Sequence, residues 1–284
     1  MTTPIVRTLA ELRKATRGWR AAGETIGVVP TMGALYDGHL SLVAAAKAAC
    51  DRVIVTIFVN PKQFNQAADL EAYPRTEEDD ARKLERFAVD AVYAPDVSQI
   101  YPDGFSTNVS VKGMTDVLCG AHRPGHFDGV ATVVTKLFTQ TSADKAFFGE
   151  KDFQQLMVVQ RMARDLDIPV EVIGCPTIRE EDGLAMSSRN LLLSDRARVH
   201  APRLHEVMEA VVMALGQGDG FSDVKAQAVA QLEAAGFSEV DYFEVRSCAG
   251  LNLLDRPTEP ARLFAAAWLA GVRLIDNIDV PACS

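Results

Sequence analysis

Three stretches of the sequence bring together groups that could hold and polarise a polyphosphate. In residues 28–42 (Val-Val-Pro-Thr-Met-Gly-Ala-Leu-Tyr-Asp-Gly-His-Leu-Ser-Leu), an apolar β-branched run ends in a loop with two glycines. A helical period, Leu42, Val43, Ala46 and Ala49, follows. The pattern predicts a strand, a tight loop, and a helix beginning at about Gly38 and ending near Cys50. A helix start exposes N–H groups and a partial positive charge, both of which attract phosphate. Gly33 and Gly38 leave room for backbone to approach a ligand, and His39 falls in the first helical turn. A second junction has the same form. Ala146-Phe147-Phe148 reads as a short strand, Gly149-Glu150-Lys151-Asp152 follows its end, and a helix then turns Leu156, Val159 and Met162 inward. A lysine in a first turn opposes the helix dipole, which points to a role for Lys151 other than helix stability. The third stretch, Leu184-Ala185-Met186-Ser187-Ser188-Arg189-Asn190, offers hydroxyls, amides and a guanidinium in a Gly-flanked loop. Taken singly, each stretch also reads as an ordinary turn or polar loop. The chain has no Walker Gly-x-x-x-x-Gly-Lys-Ser/Thr and no serine or cysteine constellation placed for covalent catalysis.

The elements that must position these residues follow from periodicity. Residues 25–29 and 53–59 are apolar and β-branched; the second run is continuous, as in a central parallel strand covered on both faces. It ends in Asn60-Pro61-Lys62-Gln63-Phe64. Ligands of open α/β sheets bind beyond the carboxyl ends of strands, so Asn60 and Gln63 are well placed. Thr8 and Glu11 form a capping box for a helix to about Ala22. Thr76 is the expected N-cap of a helix whose first-turn acids, Glu77, Glu78, Asp79 and Asp80, suit the dipole; this capping account is preferred to a metal site. Residues 89–94 and 170–173 read as further strands. Cys119, His122 and His126 lie close together, but Pro124 and Gly125 break any helix and no fourth ligand follows at a finger-like spacing, which reads against zinc. Asp128 is the expected cap of a helix carrying Val130, Val133, Val134, Leu137 and Phe138. Farther on, Ser194 is the expected cap of one helix running to about Leu215. Residues 216–220 read as a linker and 222–235 as a helix. Residues 242–246, 262–269 and 272–278 read as strands, the last two joined as a hairpin through Ala270-Gly271. The fold class is α/β: a Rossmann-like parallel-sheet domain over 1–177, then a smaller α+β domain over 178–284 carrying the Met-Ser-Ser-Arg loop.

Composition bounds the function. With 284 residues, 48% of them hydrophobic and 24% charged, the chain can bury a substantial core. A net charge of −9 argues against bulk attraction to nucleic acid, so an anionic substrate needs local positive groups. Five scattered cysteines, Cys50, Cys119, Cys175, Cys248 and Cys283, fit reduced thiols rather than a disulfide framework. The absence of an apolar leader or a bilayer-length run leads to the expectation of a cytoplasmic protein with no membrane partner.

The motifs resemble those of one family. Pro30-Thr31-Met32-Gly33-x-Leu35-x-x-Gly38-His39-x-x-Leu42 is similar to the nucleotide-binding signature of the pantothenate synthetases. These are relatives of the nucleotidyltransferases and class I aminoacyl-tRNA synthetases that carry a His-x-Gly-His box. Phe58-Val59-Asn60-Pro61-x-Gln63-Phe64, Phe148-Gly149-Glu150-Lys151-Asp152-x-Gln154-Gln155-Leu156 and Met186-Ser187-Ser188-Arg189 follow in family order, and the 123–130 segment resembles the family's Arg-Pro-x-His-Phe-x-Gly-Val loop. The resemblance runs nearly the whole length. It implies an ATP-dependent ligase that joins (R)-pantoate to β-alanine through a pantoyl adenylate, releasing pyrophosphate and AMP.

By the same resemblance, His39 and Lys151 are catalytic, with His39 as proton donor. Met32, Gly33, Ala34, Leu35, Tyr36, Asp37, Gly38, His39, Gly149, Glu150, Lys151, Asp152, Ile178, Met186, Ser187, Ser188 and Arg189 contact ATP, and Gln63 and Gln155 hold pantoate. Mg²⁺ travels with ATP, no protein metal site is implied, and the assembly is a homodimer. Tyr36 departs from the pattern, since it replaces the first histidine of the box and stays neutral at working pH. That predicts a competent but slower adenylation. It also leaves two alternatives: a nucleotidyltransferase of related fold, or a weakly active nucleotide-binding homologue.

Overall fold

The structure is a computed structural model that describes residues 3–64, 70–71 and 73–282; Cys283 lies outside them. The chain divides into two units, Met1–Pro176 and Thr177–Ser284.

The first unit is built on six parallel strands: β1 (Ile5–Val6), β2 (Ile26–Thr31), β3 (Arg52–Ile57), β4 (Ala91–Tyr93), β5 (Lys145–Gly149) and β6 (Glu171–Cys175), in the spatial order β1-β4-β3-β2-β5-β6. Val28, Val29, Val53, Ile54 and Val55 have no exposed surface, as expected of central strands covered on both faces. The covering helices are α1 (Leu9–Ala21), α2 (Asp37–Ala49), α3 (Glu77–Glu85), α4 (His126–Thr141) and α5 (Phe153–Asp165). The Thr8–Glu11 capping box at the head of α1 is formed as the spacing predicts. The inward side of α5 is Leu156, Val159 and Met162, all buried.

Two capping expectations differ. Thr76 occupies the N-cap position of α3 but makes no capping bond; its hydroxyl donates to Asp80 at 3.2 Å instead. Helix α4 starts three residues earlier than a cap at Asp128 requires, with Gly125 as N-cap in a left-handed conformation and Asp128 inside the first turn.

The second unit packs α6 (Arg203–Gly216) and α7 (Phe221–Ala234) on an antiparallel sheet of β7 (Phe237–Ser247), β8 (Ala261–Leu269) and β9 (Val272–Val280). Leu204, Val207, Met208 and Val211 share one core with Phe243, Val245, Leu263 and Ala265. The hairpin turn is Ala270-Gly271, both at positive φ (49° and 79°) between paired Leu269 and Val272, as a two-residue hairpin loop requires. Ser194 does cap a helix, accepting from the Ala197 amide, but that helix is only the turn Asp195–Arg198. The chain breaks before Pro202, the N-cap of α6, because proline disfavours helical backbone at the residue before it.

Candidate active site

Strand β2 lies between β3 and β5. The chain proceeds from β2 to one side of the sheet and returns to place β5 on the other. This is the switch point at which open α/β sheets form a crevice beyond the strand ends. Two predicted site segments leave the sheet there: residues 32–36 after Thr31, and the 3₁₀ turn Glu150–Asp152 after Gly149. Lys151 therefore sits in a tight turn ahead of α5 rather than in the α-helix itself. Its charge lowers the proton affinity of His39 while that of Asp152 raises it, so the two elbows are electrostatically coupled.

The first elbow is held from below. Thr31 Oγ1 accepts the Gly33 amide at 3.1 Å and donates to the Thr56 carbonyl at 2.6 Å. Gly33 and Ala34 both have positive φ, 84° and 50°; at Ala34 the left-handed backbone costs on the order of 1 kcal/mol. The Asp80 carboxylate, with no exposed surface, accepts the amides of Ala34 and Leu35 at 2.8 and 2.7 Å, and Lys83 Nζ donates to the Leu35 carbonyl at 2.8 Å. The amides of Gly33, Ala34 and Leu35 thus face protein. At the start of α2, by contrast, Tyr36 is the N-cap and makes no side-chain cap bond, so the first-turn amides of Asp37, Gly38 and His39 are the donors suited to an anion.

The Tyr36 ring leans on the His39 imidazole, centroids 4.3 Å apart. Gly38 makes this approach possible, because a Cβ there would lie 2.4 Å from Tyr36 Cε2. Burial raises the Tyr36 phenol pKa, with Asp152 adding to the effect, so Tyr36 stays a neutral donor. Burial likewise pushes His39 down to about 4, against the pull of Asp152 and with the push of Lys151. Its Nδ1 is shut off from solvent with no hydrogen-bond partner among the described residues. At neutral pH His39 meets a ligand as neutral imidazole and offers a single N–H; it becomes a charged donor only when an anion beside it raises its proton affinity.

Gln63 ends the neighbouring 3₁₀ turn Pro61–Gln63 after β3. Its Oε1 accepts from Asn60 Nδ2 at 3.1 Å, and its Nε2 lies 2.8 Å from Met32 Sδ, so this segment touches the first elbow. Asn60, 1% exposed, also donates to the Gly129 carbonyl at 3.0 Å and accepts from the Tyr101 hydroxyl at 2.8 Å. The Gln63 carbonyl accepts from Arg123 Nη2 at 3.2 Å and lies 2.9 Å from His126 Nδ1. Gly129 lets α4 come this close, since a Cβ there would meet the Lys62 carbonyl oxygen at 2.3 Å. Gln155 is half-buried in the first turn of α5. Beside it, buried Gln154 accepts the Cys119 amide and donates to the Met114 and Val117 carbonyls, fixing residues 114–119.

In the second unit, Ile178 and Met186 are joined by Met186 N–H to Ile178 O at 3.0 Å. Ser187 Oγ accepts the Arg189 amide at 3.2 Å and caps the 3₁₀ turn Ser188–Leu192. Three braces hold this loop. Arg179 donates twice to Asp276, Arg198 pairs with Glu180 and Asp182, and Asn190 donates to Glu180 and to the Ala185 carbonyl.

Sequence reasoning missed Asp80 as anything but a first-turn acid. The available signal was spacing: Asp80 lies four residues before buried Leu84, on the inward side of α3. Gln154 stood in the motif without a role, and Asp276 gave no signal, since their partners are backbone groups or side chains far off in sequence.

Comparison with known proteins identifies the family. Residues 4–279 match the family model described as pantoate-beta-alanine ligase. A pantothenate synthetase of Roseobacter denitrificans is 82% identical over 281 residues, covering 99% of both chains; one of Caulobacter vibrioides is 55% identical, covering 99% of this chain and all of its own. Among solved structures, a pantothenate synthetase from Thermus thermophilus superposes with a TM-score of 0.92 at 44% identity, covering 98% of this chain and 99% of that one. A pantoate-beta-alanine ligase from Francisella tularensis, solved with beta-gamma ATP and β-alanine, gives 0.83 at 34% identity, covering 98% and 97%. A match of this extent, over nearly the whole chain, leaves one conclusion: the chain belongs to the pantoate–β-alanine ligase family.

Proposed function

We propose that the chain condenses (R)-pantoate with β-alanine at the expense of ATP. The observation that carries this reading is the pairing of two elbows at adjoining strand ends, one with uncapped amides and His39, the other with Lys151. Gln63 reaches the first elbow through Met32. In the first step a pantoate carboxylate oxygen attacks the α-phosphorus, the bond to the β-phosphate oxygen breaks, and pyrophosphate leaves. In the second the β-alanine amine attacks the acyl carbon of pantoyl adenylate and AMP leaves with the bonding pair. A carboxylate is a poor nucleophile, so the first step depends on positioning and on charge stabilisation at the phosphates.

Lys151 and the amides at the start of α2 stabilise that charge, and His39 adds the N–H of a neutral ring. Met32 to His39 and Gly149 to Asp152 line the nucleotide, and Gln63 and Gln155 hold pantoate. In the second unit, Ile178 and the Met186, Ser187, Ser188 and Arg189 turn are assigned to ATP on the strength of the family motif. Mg²⁺ enters as the counter-ion of ATP. Three acids of the α3 run have partners in the protein: Asp80 on backbone amides, Asp79 with Arg82 and Lys83, and Glu77 with Arg7. A cytoplasmic homodimer is part of the same proposal, carried over from the family resemblance. Among the described residues no helix is long and apolar enough to cross a membrane.

Isotope exchange between pyrophosphate and ATP tests the reading. Exchange that requires pantoate, followed by AMP release when β-alanine is added, is expected. Exchange without pantoate, or an adenylated product that accumulates in the presence of β-alanine, would overturn it. A nucleotidyltransferase is not favoured, because the ligase family match spans both units.

A further inference from the structure

We propose that Asp80, with Lys83 beside it, is a positioning residue that holds the nucleotide elbow in its binding shape; the assignment rests on ATP binding at that elbow. The segment between Thr31 and the start of α2 must turn through two consecutive residues of positive φ, Gly33 and Ala34. The second is not glycine, so that backbone needs outside support. Helix α3 supplies it in both polarities. Asp80 Oδ2 accepts the Ala34 amide at 2.8 Å, Asp80 Oδ1 accepts the Leu35 amide at 2.7 Å, and Lys83 Nζ donates to the Leu35 carbonyl at 2.8 Å. Thr76 Oγ1 adds a third donor to Asp80 Oδ2 at 3.2 Å. The carboxylate has no exposed surface and packs so tightly under the turn that a Cβ on Gly33 would lie 3.1 Å from Asp80 Oδ2.

A buried carboxylate with two backbone amides on it does more than suit the dipole of α3. It removes the 34 and 35 amides from the ligand's side and aims the chain so that α2 begins at Asp37 with its own first-turn amides outward. Asparagine at 80 has the same shape, but it offers one acceptor oxygen and turns an N–H₂ toward an amide that is itself a donor. The Asn variant should therefore loosen the elbow without emptying the site.

The experiment measures steady-state constants for ATP and β-alanine, and equilibrium binding of a non-hydrolysable ATP analogue, for the parent chain, Asp80→Asn, Lys83→Met and the exposed-turn control Glu78→Gln. For Asp80→Asn, KM for ATP and the analogue's Kd are expected to rise at least tenfold while KM for β-alanine stays within threefold. Lys83→Met shifts the same two constants by a smaller factor, and Glu78→Gln stays at the parent values. The double variant shows less than the product of the single effects, because both groups hold one loop. If Asp80→Asn does not fold, Lys83→Met decides: an ATP-selective rise upholds the proposal and its absence overturns it. ATP constants within twofold of the parent in folded variants, or a parallel rise for β-alanine, overturn it as well. Failure of the parent chain itself to bind the analogue would instead refute ATP binding at the elbow.

Discussion

The phenol ring of Tyr36 rests against the imidazole of His39, centroids 4.3 Å apart and planes tilted by 53°. The contact joins the one departure from the family box to the histidine that the box retains. It places a neutral, half-buried hydroxyl-bearing ring where a second imidazole would otherwise stand. A hydrogen-bond donor aimed at developing charge contributes on the order of 2–4 kcal/mol, and a neutral phenol supplies less than a protonated imidazole. Tyr36→His is therefore expected to speed pantoate-dependent pyrophosphate exchange by about tenfold or more. An unchanged or lower rate would show that the phenol is not the weak point of the first step.

Gly38 is the condition for that ring contact. A methyl group at 38 would sit 2.4 Å from Tyr36 Cε2, so Gly38→Ala must drive the ring off His39. The expected result is a loss of both stability and exchange rate in the Tyr36 background, with little further loss when Tyr36 is already alanine. A double-mutant cycle on thermal unfolding should return a coupling of about 1–3 kcal/mol. Additive effects would mean that the ring finds another place without strain.

His39 ties stability to pH. Its folded pKa of about 4 lies below the ordinary imidazole value of 6.5, so the unfolded chain takes up the proton first as pH falls. Its contribution is fully present above about 6.5 and is lost between there and about 4. The full difference is on the order of 3 kcal/mol. Denaturant unfolding at pH 7.5 and 4.5 measures it, and His39→Gln should remove most of the extra slope across that window. An identical slope in the variant would place the pH sensitivity elsewhere.

Asp276 of β9 is 4% exposed and receives two bonds from Arg179, with His205 Nδ1 3.6 Å away. Arg179→Met strips the main partner from a buried charge, which costs about 3–5 kcal/mol. Unfolding of the variant, followed by hydrogen exchange in residues 178–190, should show the loss concentrated in the loop that Arg179 braces. Adding Asp276→Leu should recover part of the loss, since an apolar pair leaves no buried charge behind. A double variant no more stable than Arg179→Met would argue that Asp276 carries other partners of equal weight.

Much of the architecture is local and could be read from the chain. Apolar, β-branched runs at 25–29 and 53–59 mark central strands because a strand covered on both faces has no polar side to alternate with. Thr8 and Glu11 mark a helix start because their bonds close over three residues. The motif spacing around Gly38, Lys151 and Ser187 located the candidate elbows for the same reason. Caps and breaks were less legible. Gly125 rather than Asp128 heads α4, and the helix expected from Ser194 stops at Arg198, because a left-handed residue and a proline four residues beyond that stop decide the backbone over a side chain able to cap.

What the sequence determined by itself was therefore the set of elements and the chemistry at their ends. The tertiary structure alone decided which ends meet, and how each group is charged once there. Strand order is settled by pairing between β2 and β5, more than a hundred residues apart in the chain, and that pairing brings Lys151 to His39. Asp80 looked like one of four solvated acids. Only packing of α3 under the 33–35 turn turned it into a buried acceptor of two amides, because burial and long-range hydrogen bonding depend on what lies opposite a residue rather than on what stands next to it.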